Sequence, residues 1–114
     1  MVDRKRDVII SGAFNIYPKE IEDVILFHPK VKDVAVIGVP DEKWGEVVKA
    51  VVVPKEGVSI AEGEIIDYCR DHMASFKKPK SVDFIKELPL NPYGKVEKKK
   101  LRDPYWAGYD RRVH

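Results

Sequence analysis

Two runs of mostly β-branched residues dominate the middle of this chain. They are Val34–Val39 and Val47–Val53, and a polar turn, Pro40–Gly45, separates them. Strands at the centre of a sheet with both faces covered form near-continuous apolar runs, whereas half-exposed strands alternate between apolar and polar residues. The sequence therefore predicts two central strands, and the rest of the chain must cover both faces of their sheet.

Helical periodicity appears on each side of these strands. One predicted helix begins at Pro18, places apolar residues at helical spacing and ends at His28. A second begins at the capping-box pattern of Ser59–Glu62. Its inward face is apolar and comprises Ile65, Ile66, Cys69 and Met73. A third, short helix is predicted over Glu97–Arg102.

The remaining pattern completes an α+β fold. Val82–Ile85 predicts a third strand, and two short strands around Ser11-Gly12-Ala13 predict a hairpin. A chain of 114 residues, 44% of them hydrophobic, can bury one core. We therefore expect one domain over residues 1–114: a small three-stranded sheet with helices packed on it, plus an N-terminal β-hairpin. Residues 103–114 carry no pattern and are predicted to form an irregular tail.

Size and composition limit where ligands can bind. A domain this small is not expected to hold a large cleft, so a substantial ligand would lie on its surface or between it and another body. The single cysteine, Cys69, is predicted to be a buried apolar residue of the core, and the lack of a second cysteine indicates a reducing compartment. No apolar run could cross a bilayer and Asp3–Asp7 differs from a signal peptide, which predicts a cytoplasmic protein. His28, His72 and His114 lack ligand spacing, so no metal site is predicted.

The charge of the chain is unevenly distributed. Between Lys77 and Arg102 there are nine Lys or Arg residues and three acidic ones, which is a local charge of +6. The whole chain carries +2, so the remainder carries −4. This asymmetry indicates that the C-terminal third faces an anionic partner.

One lysine in this basic segment lies in a conformationally restricted loop. Leu88–Val96 contains two prolines and a glycine, and it places Lys95 near the tip. An ammonium group on a long stem can place a point charge on a phosphate or a carboxylate. Lys95 is therefore a catalytic candidate, and the alternative is a solvated lysine in a surface turn.

Three spaced motifs resemble one known domain. The first is Asp3-Arg4-x-x-Asp7-x-Ile9-x-Ser11-Gly12, the second is Asn15-Ile16-Tyr17-Pro18-x-Glu20-Ile21-Glu22, and the third is Pro89-x-x-x-x-Gly94-Lys95-Val96 with Lys99 and Leu101 after it. From Asp3 to about Arg102 the chain resembles the C-terminal domain of AMP-forming acyl-CoA synthetases. These belong to the adenylate-forming superfamily, with firefly luciferase and the adenylation domains of peptide synthetases.

The resemblance implies a partner within a longer enzyme. In the family, a larger N-terminal adenylation domain holds the ATP loop, the acyl pocket and most contacts to ATP and Mg²⁺. We therefore expect this chain to be a piece of such an enzyme that begins near the interdomain hinge. The isolated piece is expected to be inactive.

The resemblance also assigns roles in the first of two half-reactions. A carboxylate attacks the α-phosphate of ATP to give an acyl-adenylate, and Lys95 matches the catalytic lysine of this step. Arg4 matches an arginine near the nucleotide phosphates, although a surface pair with Asp3 or Asp7 is an alternative. Arg6 matches the hinge position, which holds Asp or Lys in relatives. The other lysines that follow Lys95 are interpreted as a solvated helix face: Lys98, Lys99 and Lys100.

In the second half-reaction, coenzyme A displaces AMP after the domain rotates. The resemblance implies that Ser11, Gly12 and Ala13 line the path of the pantetheine arm, where small residues let it approach the backbone. The implied contacts to the CoA nucleotide are Trp44 and Phe76 for stacking and Lys78 and Lys80 for the phosphates. Phe14 lies in a loop that resembles that of fatty-acid enzymes, which favours a long or medium acyl chain.

Two other functions are compatible with parts of this pattern. A relative of the peptide-synthetase or luciferase type would adenylate its substrate and deliver the acyl group to an acceptor other than CoA. A stand-alone nucleic-acid or anion-binding module would use the +6 segment with Trp44, Phe76 and Tyr93, and its binding would weaken steeply with salt. The family resemblance predicts a carboxylic acid and CoA as partners, and no nucleic acid.

Overall fold

The computed structural model describes residues 8–12, 14–73 and 77–106. In chain order the elements are β1 (Ile9–Ser11), β2 (Phe14–Ile16), α1 (Pro18–Leu26), β3 (Val31–Asp41), β4 (Gly45–Pro54), α2 (Glu62–His72), β5 (Ser81–Phe84) and α3 (Lys98–Trp106). The α+β prediction is confirmed, with a three-stranded sheet, packed helices and an N-terminal hairpin. In the part of the chain described here, no helix combines the length and apolarity needed to cross a membrane.

The sheet has the order β3-β4-β5, so the central strand is β4. β3 and β4 are antiparallel, and β5 runs parallel to β4. β3 and β4 both extend beyond the predicted apolar runs, because their pairing continues through the polar ends to Asp41 and Gly45. Asp41 accepts the backbone N–H groups of Lys43 and Trp44, and Gly45 has a φ of +86°, which closes the turn.

Both faces of the sheet are covered, as the continuous apolar runs predict. One face packs against α1, α2 and the hairpin, and its buried residues include Val36, Val52 and Ile65. The other face packs against Leu88 and Leu101, and its buried residues include Ile37 and Val51. Cys69 lies in the first cluster, where burial raises the pKa of its thiol to about 11.

The second helix begins later than its sequence predicts. Ser59 was the expected cap, but α2 begins at Glu62, and the Glu64 carboxylate accepts the Ala61 N–H at 3.1 Å. The Ser59 carbonyl instead accepts a hydrogen bond from the Lys30 ammonium at 3.3 Å. Ile60, just before the helix, packs against the core. Tertiary contacts therefore keep residues 59–61 outside the helix.

The third helix extends beyond its predicted end. Residues 103–106, which the sequence assigned to an irregular tail, are helical despite Pro104. Two contacts hold this last turn on the sheet: the Tyr105 hydroxyl donates to Asp83, and the Trp106 indole N–H donates to the Gly38 carbonyl at 3.0 Å. Residues 107–114 of the predicted tail lie outside the described residues.

Candidate functional site

The loop that carries Lys95 is organised by one asparagine side chain. Asn91 Oδ1 accepts the backbone N–H of Tyr93 at 2.8 Å and that of Lys95 at 3.0 Å. Its own backbone N–H donates to the Lys95 carbonyl at 2.8 Å. A φ of +84° at Gly94 completes the turn. The prolines and glycine alone suggested this restriction, whereas Asn91 makes the hydrogen bonds that fix it.

Replacing Asn91 with alanine should release the loop while the core stays intact. Each lost hydrogen bond contributes about 1 kcal/mol, so exchange of the Tyr93 and Lys95 amide hydrogens should accelerate by about five- to tenfold. Amide exchange followed by NMR on the 114-residue chain measures this. Asn91→Asp keeps the acceptor oxygen and is the matched control. Unchanged exchange in Asn91→Ala would show that Asn91 does not restrain the loop.

Lys95 differs from its neighbouring lysines in its ion pairing. Its side chain is exposed, and within the described residues its ammonium has no hydrogen bond or ion pair. By contrast, three following lysines are paired with carboxylates: Lys98 with Glu22, Lys99 with Asp103 and Lys100 with Glu97. The Lys95 charge is therefore available to an incoming anion.

Gly12 and Trp44, which lie far apart in the sequence, meet in the fold. The Gly12 N–H donates to the Trp44 carbonyl at 2.9 Å. Gly12 has a φ of +60°, and a Cβ built on it would lie 2.7 Å from Cε3 of the Trp44 ring. Only glycine fits this contact. Ser11 precedes it at the end of β1, and Ala13, the third residue of the predicted pantetheine turn, lies outside the described residues.

The predicted phosphate contacts lie toward the same end of the sheet as Trp44. The Lys80 N–H donates to the Val48 carbonyl at 2.8 Å, and the parallel pairing then begins between Lys49 and Ser81. Because β4 and β5 run in the same direction, residues 78–80 precede β5 at the end where Trp44 precedes β4. Lys80 is exposed and Lys78 is half-buried.

Three other predicted site residues cannot be placed, because they lie outside the described residues: Arg4, Arg6 and Phe76. The Gly12–Trp44 contact lies at the β3–β4 turn, whereas the Lys95 loop lies between β5 and α3. The two candidate groups therefore belong to different loops of the chain.

A cluster of polar side chains that the sequence did not predict lies between the sheet and α3. Lys49 is 8% exposed, and its ammonium lies 3.2 Å from Asp83 and 4.9 Å from the centroid of the Tyr105 ring. The hydrogen bond from Tyr105 is the main cause that lowers the pKa of Asp83; Lys49 acts in the same direction, and burial opposes both. Burial, followed by the Asp83 contact, raises the pKa of Tyr105 to about 12.

This cluster predicts the pH dependence of stability. Because the pKa of Asp83 is lower in the folded state, its ionised carboxylate stabilises the fold fully above pH 3.8, the usual carboxyl pKa. This stabilisation is lost as the pH falls through the folded-state pKa. The raised pKa of Tyr105 stabilises the fold below pH 10, and this is lost as the pH rises toward 12. Urea unfolding across this range should show both losses. In Tyr105→Phe, the unfolding free energy should fall less between pH 10 and 12 than in the wild type, because the phenol that ionises is absent. An equal fall in both proteins would contradict this.

The described architecture is that of the C-terminal domain of adenylate-forming enzymes: a β3-β4-β5 sheet with the Gly12–Trp44 contact and a separate lysine loop. Residues 20–95 match the model of the AMP-binding enzyme C-terminal domain, and the chain belongs to this family. The matched region ends at Lys95. The family predicted from the sequence motifs is therefore confirmed.

Relatives and solved structures agree with this assignment. The chain is 50% identical over 105 residues to the long-chain-fatty-acid–CoA ligase FadD13 of Mycobacterium tuberculosis, covering 92% of the chain and 21% of that protein. It is 49% identical over 102 residues to feruloyl-CoA synthase of Amycolatopsis sp, covering 90% and 21%. ATP-bound MatB from Rhodopseudomonas palustris superposes with a TM-score of 0.85 at 46% identity, covering 90% and 20%. The chain thus spans about a fifth of the length of these relatives.

Proposed function

We propose that this chain is the C-terminal, mobile domain of a cytoplasmic, AMP-forming acyl-CoA synthetase. The observation that carries the proposal is the exposed Lys95 ammonium, which has no ion-pair partner among the described residues and lies in a loop ordered by Asn91. The family match ends on this lysine. A free, buried Cys69 is compatible with a reducing compartment.

In the first half-reaction, Lys95 would bring two anions together. The substrate carboxylate attacks the α-phosphate of ATP, a new O–P bond forms, and pyrophosphate leaves with the electrons of the broken bond. Lys95 lies between the two anions, offsets their repulsion and stabilises the charge that grows on the phosphate oxygens. Asn91 holds the backbone of Lys95 in place, so little ordering of the loop is needed at the moment of reaction. Arg4 would contact the nucleotide phosphates.

In the second half-reaction, rotation about the hinge at Arg6 would present the other surface. The CoA thiol loses its proton as its sulfur attacks the acyl carbonyl carbon. A C–S bond forms, and the C–O bond to AMP breaks with its electron pair leaving on AMP. Gly12 would let the pantetheine arm pass close to the backbone, together with Ser11 and Ala13. The CoA nucleotide would meet Trp44, which is 42% exposed. The remaining proposed contacts to the nucleotide are Phe76, Lys78 and Lys80.

The acyl substrate is proposed to be a fatty acid. The similarity to a long-chain-fatty-acid–CoA ligase supports this, as does the exposed Phe14 in the hairpin. The chain is nearly as similar to a feruloyl-CoA synthase, so aromatic acids are the competing substrate class. Among residues 8–12, 14–73 and 77–106, no three His, Cys, Asp or Glu side chains could together hold a metal ion. The family resemblance supports the proposal that Mg²⁺ and most of ATP are bound by the N-terminal domain.

Ion pairing weakens the alternative of a nucleic-acid-binding module. Four lysines of the +6 segment lie beside carboxylates in the structure: Lys77, Lys98, Lys99 and Lys100. A surface that neutralises phosphates needs cations that are free to contact them. The segment therefore presents less positive charge to a nucleic acid than its composition suggests.

The parent enzyme, with its N-terminal domain, tests the proposal. Two assays separate the half-reactions: acid-dependent exchange of pyrophosphate into ATP, and acyl-CoA formation from a synthetic acyl-adenylate. Fatty and aromatic acids should be compared, and fatty acids are expected to support both reactions. The 114-residue chain alone should support neither. Exchange without transfer to CoA would instead favour a relative that uses another acceptor.

A further inference from the structure

The N-terminal hairpin buries Ile9 and Ile16 in the core, and a glutamate of the sheet adds a polar anchor to its first strand. The backbone N–H of Ile10 donates to Glu46 Oε1 at 2.9 Å, across 36 positions of sequence. Strands β1 and β2 have three residues each, and a hairpin this short is marginal in water without outside support. Two residues further along, the Gly12 N–H donates to the Trp44 carbonyl. Glu46 at the start of β4 and Trp44 in the turn just before it thus provide two hydrogen-bonded anchors of the hairpin.

The other oxygen of Glu46 lies over the backbone of β3. A Cβ built on Gly38 would lie 2.3 Å from Glu46 Oε2 and 3.2 Å from Cγ1 of Ile9. Gly38 therefore leaves the space in which the carboxylate lies. The carboxylate thus lies against Gly38 and accepts the Ile10 N–H with its other oxygen, so it restrains this part of β1.

We propose that Glu46 is a positioning residue for the second half-reaction: it fixes the Ser11–Gly12 turn against Trp44, where CoA would bind. This inference rests on the proposed function. A hydrogen bond between a carboxylate and a backbone N–H is stronger than a neutral one. Without the Glu46 carboxylate, the Ile10 N–H would have to bind water instead. The contact between Gly12 and Trp44 would then be held by fewer hydrogen bonds. Lys95 lies on a separate loop, so the first half-reaction should be insensitive to Glu46.

The experiment compares Glu46→Ala and Glu46→Gln in the parent enzyme. In Glu46→Ala, kcat/KM for CoA in acyl-CoA formation from the acyl-adenylate should fall by about 10- to 100-fold, because a misplaced turn misaligns the attacking thiol. Pyrophosphate exchange should change by less than about twofold. Glu46→Gln keeps an oxygen acceptor for the Ile10 N–H and should restore transfer to within a few-fold of wild type. Glu42→Ala, in the exposed turn just before β4, is the control and should change neither reaction.

The outcomes separate this inference from the proposed function. Equal losses in both half-reactions would overturn the inference, because they would mean that Glu46 supports folding alone. Unchanged transfer in Glu46→Ala would also overturn it. If the wild-type parent makes no acyl-CoA from the acyl-adenylate, the proposed function fails before any variant is compared. A selective loss in Glu46→Ala with recovery in Glu46→Gln supports the inference.

Discussion

Replacing Lys95 with alanine in the parent enzyme should lower acid-dependent pyrophosphate exchange by about 100- to 1000-fold. The reason is electrostatic. The exposed ammonium has no carboxylate partner among the described residues, so its charge can act fully on the two reacting anions. Acyl-CoA formation from a pre-made acyl-adenylate should be retained, because that reaction would use the surface around the contact between Gly12 and Trp44 and not the Lys95 loop.

Lys99→Ala is the matched control for this experiment. Lys99 lies four residues further along, is also exposed, and pairs with Asp103 at 3.1 Å. Its removal should leave both half-reactions near wild-type rates, since an exposed pair of this kind contributes little. If Lys95→Ala leaves both rates unchanged, Lys95 is a surface-turn lysine and the proposed role is wrong. If both rates fall equally, the lysine is not specific to adenylation.

The core of the fold was predictable because it depends on local patterns. Continuous β-branched runs at Val34–Val39 and Val47–Val53 required a sheet covered on both faces, and the structure has a buried cluster on each side. The helical spacing that begins at Pro18 likewise placed Ile21 and Ile25 in the core. Apolar burial is non-directional, so periodicity alone identifies the buried face.

The polar contacts were not predictable, because they depend on which elements meet. Asn91, Glu46 and Glu22 each accept a backbone N–H, and for the last two that donor lies 36 and 14 positions away. No local pattern encodes such a pairing. The same holds at the end of α3, where Tyr105 and Trp106 bind the sheet and the helix continues through Pro104.

The candidate site was predictable to a different extent at each of its parts. The loop composition around Lys95 indicated a restricted, exposed lysine, and the structure agrees. A shared role for Gly12 and Trp44 was suggested only by the family resemblance. Their contact could not be predicted from local patterns, because the two residues belong to separate hairpins. Helical spacing suggested that Lys98 was solvated, but its side chain is only 17% exposed and pairs with Glu22.

Glu22 joins three parts of the fold through one carboxylate oxygen. Oε2 accepts the Val36 N–H at 2.8 Å and lies 2.6 Å from the Lys98 ammonium. Val36 belongs to β3, an edge strand of the sheet that the described residues form, and Glu22 belongs to α1 on one face of that sheet. Lys98 begins α3, which packs on β3. The side chains of Glu22 and Lys98 are 19% and 17% exposed, so both charges are largely removed from water.

Glu22→Ala should therefore destabilise the 114-residue chain by about 2–3 kcal/mol, because it leaves a backbone N–H and a largely buried ammonium without this acceptor. For a domain of this size, this corresponds to a fall in Tm of about 10 °C. Urea unfolding and thermal melting both measure it. Glu22→Gln keeps an acceptor for the Val36 N–H and loses the charge, so its loss should be smaller.

Asp23→Ala is the matched control for this change. Asp23 follows Glu22 on α1, but its side chain is 57% exposed and pairs with Lys19, which is itself 83% exposed. Such a pair is well solvated, so its removal should change the unfolding free energy by no more than about 0.5 kcal/mol. Equal destabilisation by Glu22→Ala and Asp23→Ala would mean that only the loss of an acidic residue from α1 matters. A clear difference instead assigns the stabilisation to the carboxylate that connects α1, the edge of β3 and the start of α3.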